Sequence, residues 1–261
     1  MSFMMNENKI SVVINTYNAS KFLARVLDSV KDFDEIVICD MESTDDTLQI
    51  AERYGCKIVT FPKGDCVSAE PARTFAIQSA SYKWVLVIDA DELVTPALKD
   101  YLYELISHED APQGLWIPRK NYFMGQFMHC FYPDYLLRFF IKEGTEWPPY
   151  VHTFPTVKGR LDKVPAKRKD LAFIHLANDN MRLRIDKTNQ YTESEVEKKK
   201  DKNYGIAALL YRPFFRFFKA YILKGGVRDG KAGFICACME GIYQFVAVSK
   251  ILEKRYRKEM L

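Results

Sequence analysis

The chain has 261 residues and a mass of 30.4 kDa, enough for one large α/β domain with an extension. Its 48% hydrophobic and 28% charged residues are typical of a globular protein, which excludes a fibrous or disordered chain. The net charge of +4 permits anionic ligands or an anionic membrane surface, and we expect no nucleic-acid partner. The six cysteines form no CxxC pair and the first residues lack a signal-peptide pattern, so we expect a reduced, cytoplasmic protein.

Strand and helix patterns alternate over the first ~110 residues, which predicts a parallel sheet built from βαβ units. The predicted strands are Lys9–Thr16, Glu35–Asp40, Cys56–Phe61 and Lys83–Asp89, and each is followed by a predicted helix. Ser43 or Thr44 is expected to cap the second helix and Thr95 the fourth. Aromatic-rich strands are predicted at 114–125 and 134–142. From Asn178 onward the chain is predicted to be helical, with breaks at Gly225, Gly226 and Gly230.

Polar segments follow three of the four predicted strands. They are NTYN (Asn15–Asn18), DMESTDD (Asp40–Asp46) and DADE (Asp89–Glu92). Ligands of an open parallel sheet bind beyond the carboxyl ends of its strands, so these segments predict a binding site there. Helix capping explains Ser43, Thr44 or Asp45, but it does not explain Asp40 at the end of an apolar strand.

Asp89 and Asp91 directly follow the apolar strand WVLVI, and their charges repel each other unless a cation is present. Hard oxygen ligands bind Mg²⁺ or Mn²⁺, usually with substrate phosphates completing the shell. The alternative is a strand-end turn in which Asp91 caps the next helix, a role that Thr95 already fills. The pattern therefore favours a divalent metal site.

These segments together resemble the family 2 glycosyltransferases of the GT-A fold. The resemblance rests on SVVINTYN, EIVICDMESTDDT, ARTFAI and VLVIDADE, and it extends from about Ile10 to Leu252. Downstream, IPRKNYFMG, YPDYLLRFF and RPFFRFFKAYILKGGVRDGKAGF resemble the single-domain branch that acts in bacterial lipopolysaccharide and surface-polysaccharide biosynthesis. The resemblance implies a Rossmann-like, mostly parallel sheet flanked by helices over 1–177, with a nucleotide-binding half (1–110) and an acceptor half (111–177). A helical extension over 178–261 would serve a membrane interface or dimerisation.

The resemblance also implies an activity and the residues that carry it. The activity is transfer of a sugar from a nucleotide diphosphate, usually UDP, to a lipid-linked or polysaccharide acceptor, with inversion and with Mn²⁺ or Mg²⁺. The implied substrate-binding residues are Thr16, Tyr17 and Asn18 around the nucleotide, Asp40 at the base, Arg73 facing the nucleotide, and Asp89 and Ala90 at the ribose or metal. Asp91 would hold the metal, with Asp89 as a second ligand.

The general base is where the chain departs from the family pattern. An inverting transfer needs a group that accepts the proton of the acceptor hydroxyl. Relatives commonly carry His-Glu where this chain has His152 followed by Thr153, and threonine cannot serve as that base. Asp134 is the first candidate, because its aromatic neighbours could desolvate it. His152, Glu146 and Glu92 stay open.

The C-terminal part carries a basic and aromatic pattern. Arg212, Arg216 and Lys219 fall at helical spacing among phenylalanines, as in helices that lie on an anionic membrane. The alternatives are a helix packed on the domain and a homodimer interface. No apolar run reaches the ~20 residues of a membrane span. The nearest run, 232–252, is interrupted by Glu240 and Gln244.

Three other functions compete with the transferase. A phosphatase with an aspartyl nucleophile would carry its Asp-x-Asp motif at the first strand, whereas this chain carries it at the fourth. A dinucleotide oxidoreductase would need a Gly-rich first turn, where this chain has NTYNAS. A nucleotide-sugar-binding protein that has lost catalysis is compatible with Thr153.

Overall fold

A computed structural model describes residues 8–66, 68–150, 153–176, 181–199, 202 and 204–259. The strands found in these ranges are β1 Ile10–Thr16, β2 Glu35–Asp40, β3 Lys57–Thr60, β4 Trp84–Asp89, β5 Glu92–Leu93, β6 Gly114–Lys120, β7 Tyr122–Phe123, β8 Gln126–Phe127, β9 Asp134–Ile141, β10 Leu161–Lys163 and β11 Phe173–His175. The α-helices are α1 Ser20–Val30, α2 Thr47–Arg53, α3 Glu70–Gln78, α4 Pro96–Ser107, α5 Met181–Lys198, α6 Ala208–Phe218 and α7 Gly230–Glu259.

The described residues form two compact units. The first, here called the sheet unit, comprises those within 8–120 and 133–176, and the second, the helical unit, comprises those within 121–132 and 181–259. Residues 121–132 thus group with the C-terminal part, whereas the sequence placed them in the acceptor half. The single strand predicted over 114–125 is wrong, because Met124 and Gly125 have φ angles of 51° and 79°. Two successive left-handed residues make the tight turn of the β7–β8 hairpin.

The sheet unit is built on a mostly parallel sheet, as predicted. Its strand order among the described residues is β3-β2-β1-β4-β9-β6-β11-β5, with β10 also paired to β6. The first four strands run parallel to one another, and β9 is inserted antiparallel between β4 and β6. The parallel pairing brings the carboxyl ends of β1, β2 and β4 to one edge, where Asn15 is the register partner of both Cys39 and Asp89.

Both faces of the central strands are buried, which explains why their sequences are apolar without alternation. Ile14 packs in a cluster with helices α1 and α4, whereas its neighbour Val13 packs in a second cluster with α3. Thr95 caps α4 as predicted, since its hydroxyl accepts a hydrogen bond of 3.1 Å from the backbone N–H of Leu98. These contacts fix the strand ends on which the polar residues lie.

The helical unit has the predicted breaks. Helix α6 continues into a π-helical turn at Lys219–Leu223 and a 3₁₀ turn at Gly226–Asp229, with left-handed φ angles at Gly225 (74°) and Gly230 (54°). Length and composition alone would let the segment Gly226–Arg257, which is mostly α7, cross a membrane, and its most apolar 18-residue window has a mean hydropathy of 1.4. The interruption of that run by Glu240 therefore does not exclude a span. In the structure 44% of that window is buried.

Candidate active site

The ends of β1 and β2 meet through Asp40, which is buried. Its carboxylate accepts hydrogen bonds from the hydroxyl of Thr16 (2.9 Å) and from the hydroxyl and backbone N–H of Ser43 (2.6 and 2.8 Å). Ser43 thus holds Asp40 in place and does not cap α2, which begins later, at Thr47. The cap predicted at Ser43 or Thr44 is wrong, and the contact of Asp40 with a base stays a prediction.

The loop after β1 turns sharply at Asn18, whose φ angle of 49° is left-handed. Its side-chain oxygen accepts a hydrogen bond of 2.8 Å from the backbone N–H of Thr44, which ties this loop to the loop after β2. Tyr17 is about half exposed, and the ammonium of Lys63 lies 4.8 Å from its ring centroid. The loop therefore presents an accessible aromatic ring beside a cation at the strand ends.

Asp89, at the end of β4, lies between two buried arginines. Its carboxylate accepts hydrogen bonds of 2.7 Å from Arg73 on α3 and 2.7 Å from Arg138 on β9. Desolvation raises the pKa of Asp89, but the two guanidinium groups outweigh it and hold that pKa well below its usual range. The carboxylate is thus an anion that already has two cationic partners, and its expected role as a metal ligand stays a prediction.

Trp147 forms one wall of this cluster. The guanidinium carbons of Arg73 and Arg138 lie 4.7 and 5.3 Å from its ring centroid. Several buried polar atoms here have no hydrogen-bond partner in the described part of the chain: both side-chain atoms of Asn15, Nε and Nη1 of Arg73, and Nε1 of Trp147. Buried donors are rarely left unpaired, so this arrangement is typical of a site that a ligand or water completes.

Asp91 lies in the turn between β4 and β5 and faces His175 at the end of β11. Its Oδ2 is 3.3 Å from Nε2 of His175, and its backbone carbonyl accepts a hydrogen bond of 2.7 Å from Leu176. Both side chains are partly exposed, whereas Ala90 beside Asp91 packs against the core. Carboxylate oxygens suit Mn²⁺ and Mg²⁺, an imidazole nitrogen binds divalent transition metals, and two such ligands leave further coordination positions for phosphate oxygens. The residues therefore fit a divalent cation, although no group of three or more acidic, His or Cys ligands exists among the described residues.

The candidate base Asp134 pairs with Arg119, and this pairing replaces the aromatic environment that the sequence suggested. Nε and Nη2 of Arg119 donate to one oxygen of Asp134 at 3.0 and 2.7 Å, and Nη1 donates to Glu92 at 2.8 Å. Glu92 is fully buried and also accepts the backbone N–H of Asp89 at 2.9 Å. Arg119 thus connects Asp134 to the end of β4 through a single buried glutamate.

The remaining base candidates divide into two groups. His152 lies outside the described residues, whereas Glu146 is exposed and bridges to Thr156 through its backbone. The hydroxyl of Thr153 donates a hydrogen bond of 2.6 Å to the carbonyl of Tyr150, which is a role in a turn. As base candidates, Asp134, His152, Glu146 and Glu92 all stay predictions.

Sequence reasoning missed four residues of the site: Arg119, Arg138, Trp147 and His175. A signal for Arg138 was present, because an arginine inside the apolar strand LLRFF has to find an anionic partner when it is buried. His175 gave no such signal. It reaches Asp91 only through the antiparallel pairing of β11 with β5, which joins segments about 80 positions apart.

The fold is that of nucleotide-sugar glycosyltransferases. A mannosyltransferase from Pyrobaculum calidifontis, solved with GDP-Man and Mn²⁺, superposes with a TM-score of 0.55 at 14% identity, over 94% of this chain and 87% of that chain. Residues 11–159 match the model of glycosyl transferase family 2, and the chain belongs to that family. Along its whole length it is also similar to curated bacterial proteins.

Two of these relatives match over nearly their full length. An uncharacterized glycosyltransferase of Rickettsia conorii is 28% identical over 96% of this chain and 92% of its own. The lipopolysaccharide core biosynthesis glycosyltransferase LpsC of Rhizobium meliloti is 26% identical over 98% of this chain and 96% of its own. The predicted family and GT-A fold are thus confirmed, and a phosphatase and an oxidoreductase drop out as alternatives.

Proposed function

We propose that the protein transfers a sugar from a nucleotide diphosphate, UDP in the first instance, to a lipid-linked or polysaccharide acceptor. The reaction would invert the anomeric centre and use Mn²⁺ or Mg²⁺. The full-length similarity to a lipopolysaccharide core glycosyltransferase supports a place in bacterial lipopolysaccharide or cell-surface glycan synthesis. With a lipid-linked acceptor, we expect the enzyme to work at the cytoplasmic face of the inner membrane.

One observation carries this proposal: the groups that a sugar nucleotide needs are gathered at the strand ends of the sheet unit. Arg73 has two buried nitrogen atoms that find no hydrogen-bond partner among the described residues, and it stacks on Trp147 beside Asp89. A guanidinium held by aromatic stacking and one carboxylate keeps its remaining donors for an anion. A bound diphosphate would pair those donors, and Tyr17 offers a ring on which a base could stack.

Asp91 and His175 are the residues that would hold the metal. When bound, a divalent cation would neutralise the charge that develops on the departing diphosphate. Asp89 would act differently, because Arg73 and Arg138 already occupy its carboxylate. We assign it to fixing the two arginines, so that their positive charge is in place before the donor binds.

Asp134 would accept the proton of the acceptor hydroxyl as the new glycosidic bond forms and the bond to the diphosphate breaks. Arg119 limits the orientation of the Asp134 carboxylate through two hydrogen bonds to one of its oxygens. The buried Glu92 in turn balances the charge of Arg119. Attack of the acceptor oxygen on the anomeric carbon, from the face opposite the departing diphosphate, gives inversion.

Calorimetric titration of UDP with and without Mn²⁺ tests the donor and metal parts of the proposal. We expect UDP to bind in Mn²⁺ and to lose at least about ten-fold in affinity in EDTA, because the charge of the diphosphate is then uncompensated. Asp91→Ala should remove the difference between Mn²⁺ and EDTA, and His175→Ala should reduce it. Asp32→Ala is the matched control, because its carboxylate is 70% exposed and the residue precedes the start of β2, whereas the candidate site lies at the ends of the strands.

Unchanged Mn²⁺-dependent UDP affinity in Asp91→Ala would contradict the metal assignment. A binding protein without catalysis, the alternative suggested by Thr153, would bind UDP-sugars normally yet release no UDP when acceptor extract is added. Release of UDP that depends on both the acceptor and Asp134 would support the transferase. Tight binding of GDP in place of UDP would contradict the choice of nucleotide alone.

A further inference from the structure

Helix α6 of the helical unit presents a continuous apolar stripe to the outside. Ile206, Leu210, Phe214, Phe218 and Ile222 recur at four-residue spacing, so each lies about one turn from the next along the helix and its flanking turns. Tyr211 and Phe215 widen the stripe. These seven side chains, here called the outer stripe, are each between 42% and 78% exposed. Contiguous apolar exposure on this scale marks an interaction surface.

The charged residues of α6 face α7, whereas a helix on a protein surface usually turns its charged residues toward water. Arg212 donates to the side chain of Gln244 on α7 at 2.8 Å, and Arg216 donates to Glu240 on α7 at 2.5 Å. The sequence suggested that Arg212, Arg216 and Lys219 bind lipid phosphates, whereas in the structure both arginines have partners on α7. Tight packing supports the inward face, since the backbone carbonyl of Pro213 lies against Gly241 of α7.

A basic rim follows the outer stripe. Lys224, Arg228 and Lys231 are exposed, and within the described ranges none of the three forms an ion pair. The apolar Leu223 and Val227 alternate with them and are exposed by 65% and 54%. Residues 206–231 carry six lysines and arginines against one aspartate, Asp229, which is buried. The apolar stripe thus leads directly into a surface of uncompensated positive charge.

We propose that the outer stripe inserts into the interfacial region of a bilayer, while Lys224, Arg228 and Lys231 contact anionic headgroups. Apolar side chains beside basic ones are the combination that binds anionic membrane surfaces. This inference deepens the proposed function and rests on it only for the lipid-linked acceptor. It assigns membrane contact to particular residues, and it excludes Arg212 and Arg216 from that contact.

The charge distribution favours a bilayer over a second copy of the chain. In a two-fold symmetric dimer through the outer stripe, the same patch lies on both sides of the interface, and residues 206–231 carry no exposed acidic side chain that could pair with the partner's basic rim. An anionic lipid surface neutralises the rim instead. The groove of about 620 Å³ beside α6 is lined by four aromatic side chains, Tyr211, Phe214, Phe215 and Phe218, together with Arg212, Arg216 and Gln244.

Flotation of the full chain with vesicles tests the inference, using phosphatidylethanolamine with about 30% phosphatidylglycerol and, in parallel, vesicles of neutral lipid alone. We expect binding to the anionic vesicles that weakens with salt. The double variant Phe214→Ser with Phe215→Ser should lower partitioning at least about ten-fold, because two rings lose their apolar burial. Lys224→Gln, Arg228→Gln and Lys231→Gln together should lower it by about five-fold per charge.

Matched variants control for charge and for exposure. Lys31→Gln, Lys158→Gln and Lys167→Gln remove the same charge from exposed positions of the sheet unit, and Ile185→Ser removes an exposed apolar side chain from α5. We expect each control to bind vesicles as the parent chain does. UDP affinity in Mn²⁺ should be unchanged in every variant. A failure of the membrane inference, seen in vesicle binding, is therefore distinguishable from a failure of the proposed function, seen in UDP binding.

Three outcomes would overturn the inference. Equal partitioning of the double phenylalanine variant and the parent would show that the outer stripe does not insert. A concentration-dependent dimer that the same variant dissociates, with no vesicle binding by the parent, would identify a second copy as the occupant. Vesicle binding that resists alkaline carbonate would indicate a span through α7, because a peripheral contact is released by that treatment.

Discussion

Arg138 shows how one side chain supports the site without any predicted role in chemistry. It lies in the middle of β9, is buried, and donates to Asp89 while stacking on Trp147. Arg73, on helix α3, donates to the same carboxylate. Removing either arginine leaves the partly desolvated Asp89 carboxylate with one cationic partner in place of two, and this destabilises the folded protein.

We therefore predict that Arg138→Met destabilises the sheet unit by about 3–5 kcal/mol, the usual effect of breaking a buried ion pair. Urea unfolding measures it, and the same variant should bind UDP more weakly because Arg73 is then free to move. Arg168→Met is the control: its pair with Asp170 is exposed, so its stability should be close to that of the parent chain. Equal stability of the two variants would contradict the structural role given to Arg138.

The residues that the sequence identified and those it missed differ in one physical respect. Thr16, Asp40 and Asp89 follow strands, so local pattern and the rule for parallel sheets placed them at one edge. His175 and Arg138 reach the site through antiparallel pairings that join distant segments, and no local pattern encodes such a register. The partner of Asp134 is likewise set by the β6–β9 register, in which Arg119 lies opposite.

At the scale of elements, β1 to β4 and α1 to α4 could be predicted, because burial on both sheet faces produces apolar runs that end at polar caps. The division of residues 114–125 could not, since a hairpin and a continued strand share the same aromatic composition. Helix α6 was recognised as basic and aromatic, but the partners of its arginines could not be predicted. Which face is buried depends on α7, whose Gln244 and Glu240 pair with the arginines.

The start of α7 is shaped by a close approach of two backbones. A Cβ atom built on Gly233 would collide with the backbone carbonyl of Gly226 in the preceding 3₁₀ turn. Because a carbonyl cannot rotate away as a side chain can, the turn or the helix would have to shift. Only glycine allows this contact, which holds the basic turn against α7.

We predict that Gly233→Ala destabilises the helical unit by about 1–3 kcal/mol, the usual effect of overpacking a close contact. Thermal unfolding followed by circular dichroism measures it. Gly205→Ala is the matched control, since nothing lies within 4 Å of its added Cβ, and it should be neutral or slightly stabilising. A Gly233→Ala protein that unfolds at the parent temperature would argue against the close approach.

At the scale of the whole molecule, each unit contains a carboxylate whose pKa is lowered by its own partners. In the sheet unit one such carboxylate is Asp89, between its two arginines. In the helical unit it is Asp229. Desolvation raises its pKa, but hydrogen bonds outweigh that effect and lower the pKa: the backbone N–H groups of His129 and Cys130 donate at 2.9 and 3.0 Å, and the imidazole of His129 is a third partner. The two units therefore each carry a separate acid-sensitive contact.

A carboxylate with a lowered folded-state pKa stabilises the fold fully above its unfolded pKa, about 3.9 for aspartate, and loses that contribution as the pH falls toward the folded value. We therefore predict that stability contributed by Asp89 and Asp229 is constant from pH 7 to about 5 and decreases below about 4. Urea unfolding at pH 7, 5, 4 and 3.5 measures the slope. Asp229→Asn should be less stable at pH 7 and should flatten the acid branch, because asparagine has no proton to take up. If the variant and the parent lose stability in parallel below pH 4, Asp229 is not a source of the acid sensitivity.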